Sequence, residues 1–177
     1  YIYYVNRERV VIARAYPAEE MKVVKVLDFT DRSLYPQELY VDDKHLVVIG
    51  HSRGYRDLPV IEPMVDGSAR MAPGIVPPYH RDMVRAVVYD LGDKSNVKQV
   101  RELELDGSYV SSRKIGSALY LVANRQVYYY PGREPADLKP LYRDSAASGD
   151  LISLDYPEIK YFPGFVQPNY LMVAGVN

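Results

Sequence analysis

His51-Ser52 is the pair in this sequence that most invites a nucleophilic reading, with Asp57 or Asp82 to complete a hydrolase triad. A triad needs a base within hydrogen-bond reach of the hydroxyl, and adjacency in sequence does not supply that geometry. The chain also lacks the Gly-x-Ser-x-Gly elbow that lifts a nucleophilic serine on a strained turn. Catalytic residues therefore stay unassigned. Of the three histidines, His45 falls in a hairpin, while His51 and His80 flank one long segment and could approach each other. With Asp57 or Asp82 they would make a metal site, but no ligand spacing typical of zinc is present, so no metal is assigned. Asp90-x-x-Asp93-x-x-Asn96 gathers oxygen ligands of the kind calcium takes. The same residue types also build tight turns without an ion. The chain contains no cysteine, which removes disulfides, thiolate metal sites and cysteine nucleophiles together. Gly-rich phosphate loops, paired catalytic carboxylates and basic-aromatic patches are absent, and no cofactor is expected.

The elements that must carry these residues are strands. Val10-Val11-Ile12, Leu46-Val47-Val48-Ile49, Ala86-Val87-Val88-Tyr89, Leu119-Tyr120-Leu121-Val122 and Tyr170-Leu171-Met172-Val173 are short apolar runs bounded by turn residues. Each is too short for a buried helix. Leu103 and Leu105 alternate with Glu102, Glu104 and Asp106, the period of two of a half-exposed strand. Asn6-Arg7-Glu8 and Asp42-Asp43-Lys44 read as hairpin turns. Pro17 to Met21 offers one helical turn at most.

The sequence also repeats itself. Arg9 to Arg14 falls over Arg85 to Asp90 at an offset of 76 residues, and Met21 to Leu27 falls over Val97 to Leu103 at the same offset. The turns between them are equal in length, and the counterparts of Asp90, Asp93 and Asn96 are Arg14, Pro17 and Glu20, so that turn forms without oxygen ligands. At an offset of 74, Tyr35 falls over Tyr109, Leu46 over Tyr120 and Val48 over Val122. A third echo sets Tyr3 over Leu121 and Asn6 over Asn124. The unit is four strands in fixed order. A partial unit occupies 1–29, a complete one 36–105 with an insertion at 52–82, and a further part 109–177 with an insertion at 130–168. Both insertions are rich in Pro and Gly and are expected as loops, because Pro cannot donate to a ladder.

Four-stranded units repeated at about 40–50 residues, once the insertions are removed, are the signature of β-propeller blades, stacked face to face. The expected fold is all-β: a partial β-propeller of about three four-stranded antiparallel blades with two long insertions, since closure takes at least four blades. The chain is expected to be cut within a blade at both ends, leaving sheet edges open for self-association. First strands line a propeller's channel, so Ser111 and Arg113, with Arg143, Asp144 and Ser145 from the second insertion above them, form the candidate ligand site for an anionic group. The competing reading is an Arg–Asp pair that ties the insertion to its blade.

Bulk composition limits the partners. A net charge of −1 provides no basic footprint for nucleic acid. No apolar run approaches a membrane span of about 20 residues. The chain opens on Tyr1-Ile2-Tyr3-Tyr4, without a signal peptide's basic start. Tyrosine is over-used, 18 copies against 3 Phe, as strand surfaces favour: one ring face packs and the hydroxyl reaches water.

The strings Tyr35 to Val41, Gly107 to Gly116, Tyr142 to Ala146 and Phe165 to Tyr170 resemble bacterial and archaeal secreted proteins with a C-terminal β-propeller domain distantly related to WD40 repeats. The resemblance covers nearly the whole chain. It implies an extracellular or cell-surface setting and a propeller longer than this chain, and it carries no catalytic residues. The expected function is an extracytoplasmic binding or scaffold module for a protein, peptide or glycan. The alternative is a hydrolase or lyase that uses Arg113, Asp144 and His51 or His80 at the channel mouth.

Overall fold

The structure, a computed structural model, describes residues 1–31, 33–55, 80–127, 138–164 and 167–177, with side chains undescribed at 53–55 and 80. It is built of β-strands, with short 3-10 turns that include Ala18–Glu20 and Tyr156–Glu158. Three antiparallel sheets follow one another along the chain, as in part of a propeller. The first holds β1 (Ile2–Val5), β2 (Arg9–Arg14) and β3 (Lys22–Asp28). The second holds β4 (Tyr35–Val41), β5 (His45–Tyr55), β6 (His80–Asp90) and β7 (Lys98–Asp106). Beyond β7 the same sheet adds β10 (Leu141–Asp144) and β11 (Ile152–Ser153). The third holds β8 (Ser108–Ile115), β9 (Ala118–Gln126) and β12 (Asn169–Val176).

Turn chemistry sets the hairpins. Asn6 Oδ1 accepts from the backbone N–H of Glu8 and Arg9, at 2.9 and 2.8 Å. Asp42 Oδ1 accepts from Lys44 and His45 in the same way, at 2.8 and 2.7 Å. Each carboxyl or amide oxygen thus satisfies two donors that the turn strips from the ladder.

Two cores hold the sheets together. Val10 and Ile12 of the first sheet pack with Leu46, Val48, Val87 and Tyr89 of the second. Val47, Ile49, Val84 and Ala86 of the second pack with Leu119, Leu121 and Ala123 of the third. This is why β5 reads as an unbroken apolar run: alternate side chains serve opposite cores. Each such side chain contributes about 1.5–3 kcal/mol when fully buried.

The ladders repeat at the 76-residue offset. Arg9 opposite Asp28 becomes Arg85 opposite Glu104 (85 − 9 and 104 − 28), and the bulge at Ile12/Ala13 becomes one at Val88/Tyr89. The other two alignments are one residue out. Val41 opposite Leu46 becomes Lys114 opposite Leu119, and the bulge at Pro36/Glu38 becomes one at Tyr109/Ser111, an offset of 73 rather than 74 (114 − 41 and 119 − 46). Leu46 therefore corresponds to Leu119, not Tyr120. Tyr3, opposite Ile12, corresponds to Val47, opposite Val88, and so to Tyr120 rather than Leu121. A slip of one residue turns every side chain to the other face of its sheet. With apolar residues on both faces of β5 and β9, residue type alone does not betray it.

The insertions are shorter in loop than expected. The β5–β6 ladder continues to Tyr55 opposite His80, so the ends of 52–82 are sheet. Within 130–168, Tyr142, Arg143 and Asp144 pair with Leu105, Glu104 and Leu103, which caps the edge of β7. The proline-free run Leu141–Asp144 can donate to a ladder, unlike its surroundings. Residues 56–79, 128–137 and 165–166, Asp57 among them, lie outside the described residues.

Candidate ligand-binding face

β4 and β8 are the edge strands of the second and third sheets, and their facing rows are polar. Glu38 and Tyr40 on β4, with Asp42 in the turn, meet Ser112 and Lys114 on β8. The hydroxyl of Tyr40 donates to the carbonyl of Ser112 at 2.9 Å. Ser112 Oγ lies 3.2 Å from Glu38 Oε2, its acceptor. That uses the serine proton, so the hydroxyl of Tyr109, 2.8 Å away, donates to Ser112 Oγ. Lys114 Nζ sits 2.7 Å from Asp42 Oδ2. The Lys114 hydrogen bond is the main reason the Asp42 carboxyl is held down at about 2, and the two turn N–H groups add to it. Burial is the main reason the Tyr109 phenol is pushed up to about 12, so at neutral pH it is a hydrogen-bonding hydroxyl and not a base.

Beside this network lies an open cleft of about 420 Å³, lined by Val5, Asn6, Arg7, Pro36, Gln37, Glu38 and Tyr109. The β1–β2 turn supplies Asn6 and Arg7, and the bulge of β4 supplies Gln37 and Glu38. Bulges re-aim side chains at strand edges, which is how Gln37 and Glu38 come to line one cleft. Gly50 makes the bulge fit: a Cβ there would meet the backbone oxygen of Tyr35 at 2.2 Å. The lining holds one cation, one carboxylate, two amides and a phenol, a set that matches a polar ligand with both donors and acceptors.

The sequence-predicted site residues are not gathered here. Ser111 and Arg113 alternate with Ser112 and Lys114, so they point to the outward, exposed face of the third sheet. Arg143, Asp144 and Ser145 lie across the second sheet, against β7. Arg101 grips Asp144 with two hydrogen bonds, at 3.0 and 2.6 Å. Arg143 reaches Glu102 at 2.7 Å and Glu104 at 2.9 Å. Ser145 exchanges hydrogen bonds with the backbone of Glu102 through its hydroxyl and its N–H. The Arg–Asp tie between insertion and sheet thus exists, with Arg101 as its arginine. Arg101 holds the Asp144 carboxyl below its ordinary value and is itself raised by it, two statements of one interaction.

The remaining candidates resolve in the same way. His51 and Ser52 are neighbours on β5 and so face opposite sides of the sheet. His51 stacks on Tyr35, with ring centroids 4.8 Å apart and planes 9° from parallel. His80 pairs with Tyr55, four ladder steps from His51, which separates the two backbones by roughly 13 Å. Asp90 accepts from the N–H of Gly92, and Asp93 from the N–H and hydroxyl of Ser95, at 2.9, 2.9 and 2.6 Å. Those oxygens are engaged in turn formation. Among the described residues no group of three or more His, Asp or Glu could hold a metal ion. Asp106, which the period of two placed with Glu104 on the exposed side of β7, is instead buried, as is Glu104, because β10 and the arginines cover that end of the strand. Asp106 Oδ2 lies 2.8 Å from both Arg81 and Arg125, and it anchors the start of β10 through the N–H of Leu141 at 3.3 Å.

The cleft residues went unseen because they come from three distant stretches of chain that only sheet stacking brings together. One signal was legible: Glu38, Tyr40 and Asp42 form a polar row at period two on one face of a strand whose intervening Leu39 and Val41 point the other way.

A family model described as a β-propeller domain matches residues 1–177. Comparisons with curated proteins and with solved structures give no match. No helix among the described residues is long and apolar enough to cross a membrane.

Proposed function

The chain belongs to the β-propeller domain family, and from that premise we propose that it is a binding module outside the cytoplasm whose protein, peptide or glycan ligand docks at the Arg7–Glu38 cleft. Propellers present ligands to rigid strand edges and the turns beside them, and this chain has such a scaffold. The observation that carries the reading is the arrangement of the cleft. A guanidinium from one sheet's turn and a carboxylate from the next sheet's edge line the same opening, and the carboxylate is fixed by Ser112. A chain segment with alternating donors and acceptors, such as a peptide backbone or a sugar's hydroxyls, satisfies both groups together.

The setting outside the cytoplasm, and the kinship with WD40 repeats, rest on the resemblance of Gly107–Gly116 and its companion strings to secreted propeller proteins. In the same reading, residues 1–177 act as one propeller body with successive blades at 1–29, 36–105 and 109–177.

The test is a titration of labelled protein with panels of short peptides and oligosaccharides, followed by NMR. The expected ligand shifts the resonances of Asn6, Arg7, Gln37 and Tyr109 and loses about tenfold in affinity with Arg7→Ala, the value of a charged hydrogen bond. A panel member that binds without moving those resonances refutes the cleft assignment.

A further inference from the structure

Glu38 is a carboxylate that its surroundings orient but do not neutralise. On the same face of β4, Asp42 is held by Lys114 at 2.7 Å. On β7, Glu102 and Glu104 each meet both Arg85 and Arg143. Glu38 meets hydroxyls instead. Ser112 donates to its Oε2 at 3.2 Å, and the phenol of Tyr109 engages the same serine at 2.8 Å. Ser112 therefore fixes where the charge sits and leaves most of the carboxylate's acceptor sites open.

The fold does not require an acid at this place. Across the equivalent bulges, Glu38 opposite Ile49 becomes Ser111 opposite Val122, 73 residues on (111 − 38 and 122 − 49). The ladder and its bulge form there with a serine, so strand pairing does not dictate the carboxylate. Nor does its charge stand bare for want of a neighbouring sheet, since Glu38 faces the third sheet through Ser112.

Arg7 carries the opposite charge into the same opening. It stands in the β1–β2 turn, whose backbone Asn6 fixes through the N–H groups of Glu8 and Arg9. Among the described residues neither Arg7 nor Glu38 has an ion-pair partner, although both line one cleft of about 420 Å³. A turn and a bulge thus hold two opposite charges apart, and the cleft acquires a direction: a positive group belongs at one end and a negative group at the other.

Resting on the reading of this cleft as the ligand site, we propose that its ligand is an extended peptide segment, with a lysine or arginine side chain on Glu38 and an acidic side chain on Arg7. The charges decide between the ligand classes. Sugars offer hydroxyls and, where charged, mostly acidic groups, which suit Arg7 and are repelled by Glu38. A peptide supplies both signs at side-chain spacing. Tyr109, in the lining beside Glu38, offers a ring to the apolar stem and charged head of a basic side chain, and Val5 and Pro36 add apolar contact.

Selection from a library of acetylated, amidated hexapeptides on beads, probed with the labelled chain, tests it. The expected peptides carry a basic and an acidic residue in one fixed order. Their binding weakens about tenfold with Glu38→Gln, and equally when norleucine replaces the basic residue of a selected peptide. It also weakens as salt is raised, as exposed charge pairs do. The charge-exchanged variant Arg7→Glu/Glu38→Arg selects the reverse order. Selected peptides of neutral composition overturn the proposal, as does a preference for a basic residue that survives Glu38→Gln. Where such peptides still shift the resonances of Asn6 and Gln37, the cleft stands as the ligand site and only its charge preference falls. Peptides that shift neither refute the cleft assignment and this proposal with it. A library that yields no binder overturns the proposal, whatever the oligosaccharide panel returns. The norleucine exchange leaves the protein unaltered, so it decides the matter even where a variant fails to fold.

Discussion

Arg101 on β7 holds Asp144 on β10 by two hydrogen bonds, 3.0 Å from Nε and 2.6 Å from the terminal nitrogen, and so fastens a strand that belongs to neither neighbour in sequence. The two side chains are 26% and 18% exposed, so solvent screens the pair only partly. Hydrogen bonds to charged groups contribute about 1.5–3 kcal/mol. Asp144→Asn is expected to lower the stability of the chain by about that much. In a chain of this size each kcal/mol moves the melting temperature by about 2–4 °C, which thermal denaturation followed by circular dichroism reads directly. Arg113→Ala, on the exposed face of β8, should stay within about 0.5 kcal/mol of the parent in the same measurement.

Acid should dissolve the contact between β4 and β8 in a defined window. Asp42 has its carboxyl lowered from 3.8 to about 2, chiefly by the Lys114 hydrogen bond. A lowered pKa in the folded state means that the unfolded chain takes up the proton first. The stabilisation is therefore fully present above the ordinary value of 3.8 and is lost as pH falls toward about 2. Melting temperature plotted against pH should drop through that interval, and Asp42→Asn should flatten part of the drop. Because Asp42 is partly exposed, high salt is expected to shrink the difference between the two proteins. Parallel curves for the two proteins would remove Asp42 from the account.

Gly50 and Ala123 occupy the same place in successive sheets, opposite Pro36 and Tyr109 across equivalent bulges, yet they should respond differently to a methyl group. A Cβ on Gly50 would meet backbone atoms of Tyr35 at 2.2 and 2.7 Å, a clash that no side-chain rotation relieves. Gly50→Ala is expected to cost at least the 1–3 kcal/mol or so typical of overpacking. Ala123→Gly should cost about 1–2 kcal/mol, the entropy of a strand glycine plus the loss of one fully buried methyl. Urea midpoints at constant slope would establish the contrast.

That asymmetry also marks how far the sequence could be read. The 76-residue repeat was legible because β2–β3 and β6–β7 carry the same charged pair, Arg9 with Asp28 and Arg85 with Glu104, at 3.2 and 3.0 Å, across turns of equal length. The β4–β5 and β8–β9 repeat was legible only to within one residue. Aligning Tyr35 with Tyr109 rewards identity of type, but the ladder sets Pro36 against Tyr109, and only pairing geometry reveals which of two adjacent apolar residues faces a given core. The register matters for function, because alternate residues of β8 face opposite sides: Ser112 and Lys114 meet β4, while Ser111 and Arg113 are exposed on the other face. β10 escaped notice for another reason: four residues between prolines carry little periodicity, and what holds them is the distant acids Glu102, Glu104 and Asp106.

Ser112 is the test of whether the β4–β8 seam is a network or a set of independent contacts. Its hydroxyl accepts from Tyr109 and donates to Glu38, while its carbonyl accepts from Tyr40. Ser112→Ala strips Tyr109 of its acceptor and Glu38 of its donor at once, and leaving part-buried polar groups unpaired costs about 1–3 kcal/mol. Tyr109→Phe removes one partner and spares the Ser112–Glu38 bond. If the groups act as a unit, the Ser112→Ala/Tyr109→Phe double variant should lose less than the sum of the singles, by about 0.5 kcal/mol or more, because the second change removes a group the first had already orphaned. Tyr40→Phe should couple to Ser112→Ala as well, since the Tyr40 hydroxyl lies 3.0 Å from Ser112 Oγ in addition to 2.9 Å from its carbonyl. The phenol gives a second readout. Tyr109 is pushed up to about 12 mainly by burial. Because burial dominates, the phenol should stay well above its ordinary value in Ser112→Ala, so long as the seam stays closed. A phenol that instead titrates near its ordinary value in Ser112→Ala would mean that the seam has opened to water and that Ser112 holds β4 to β8 on its own.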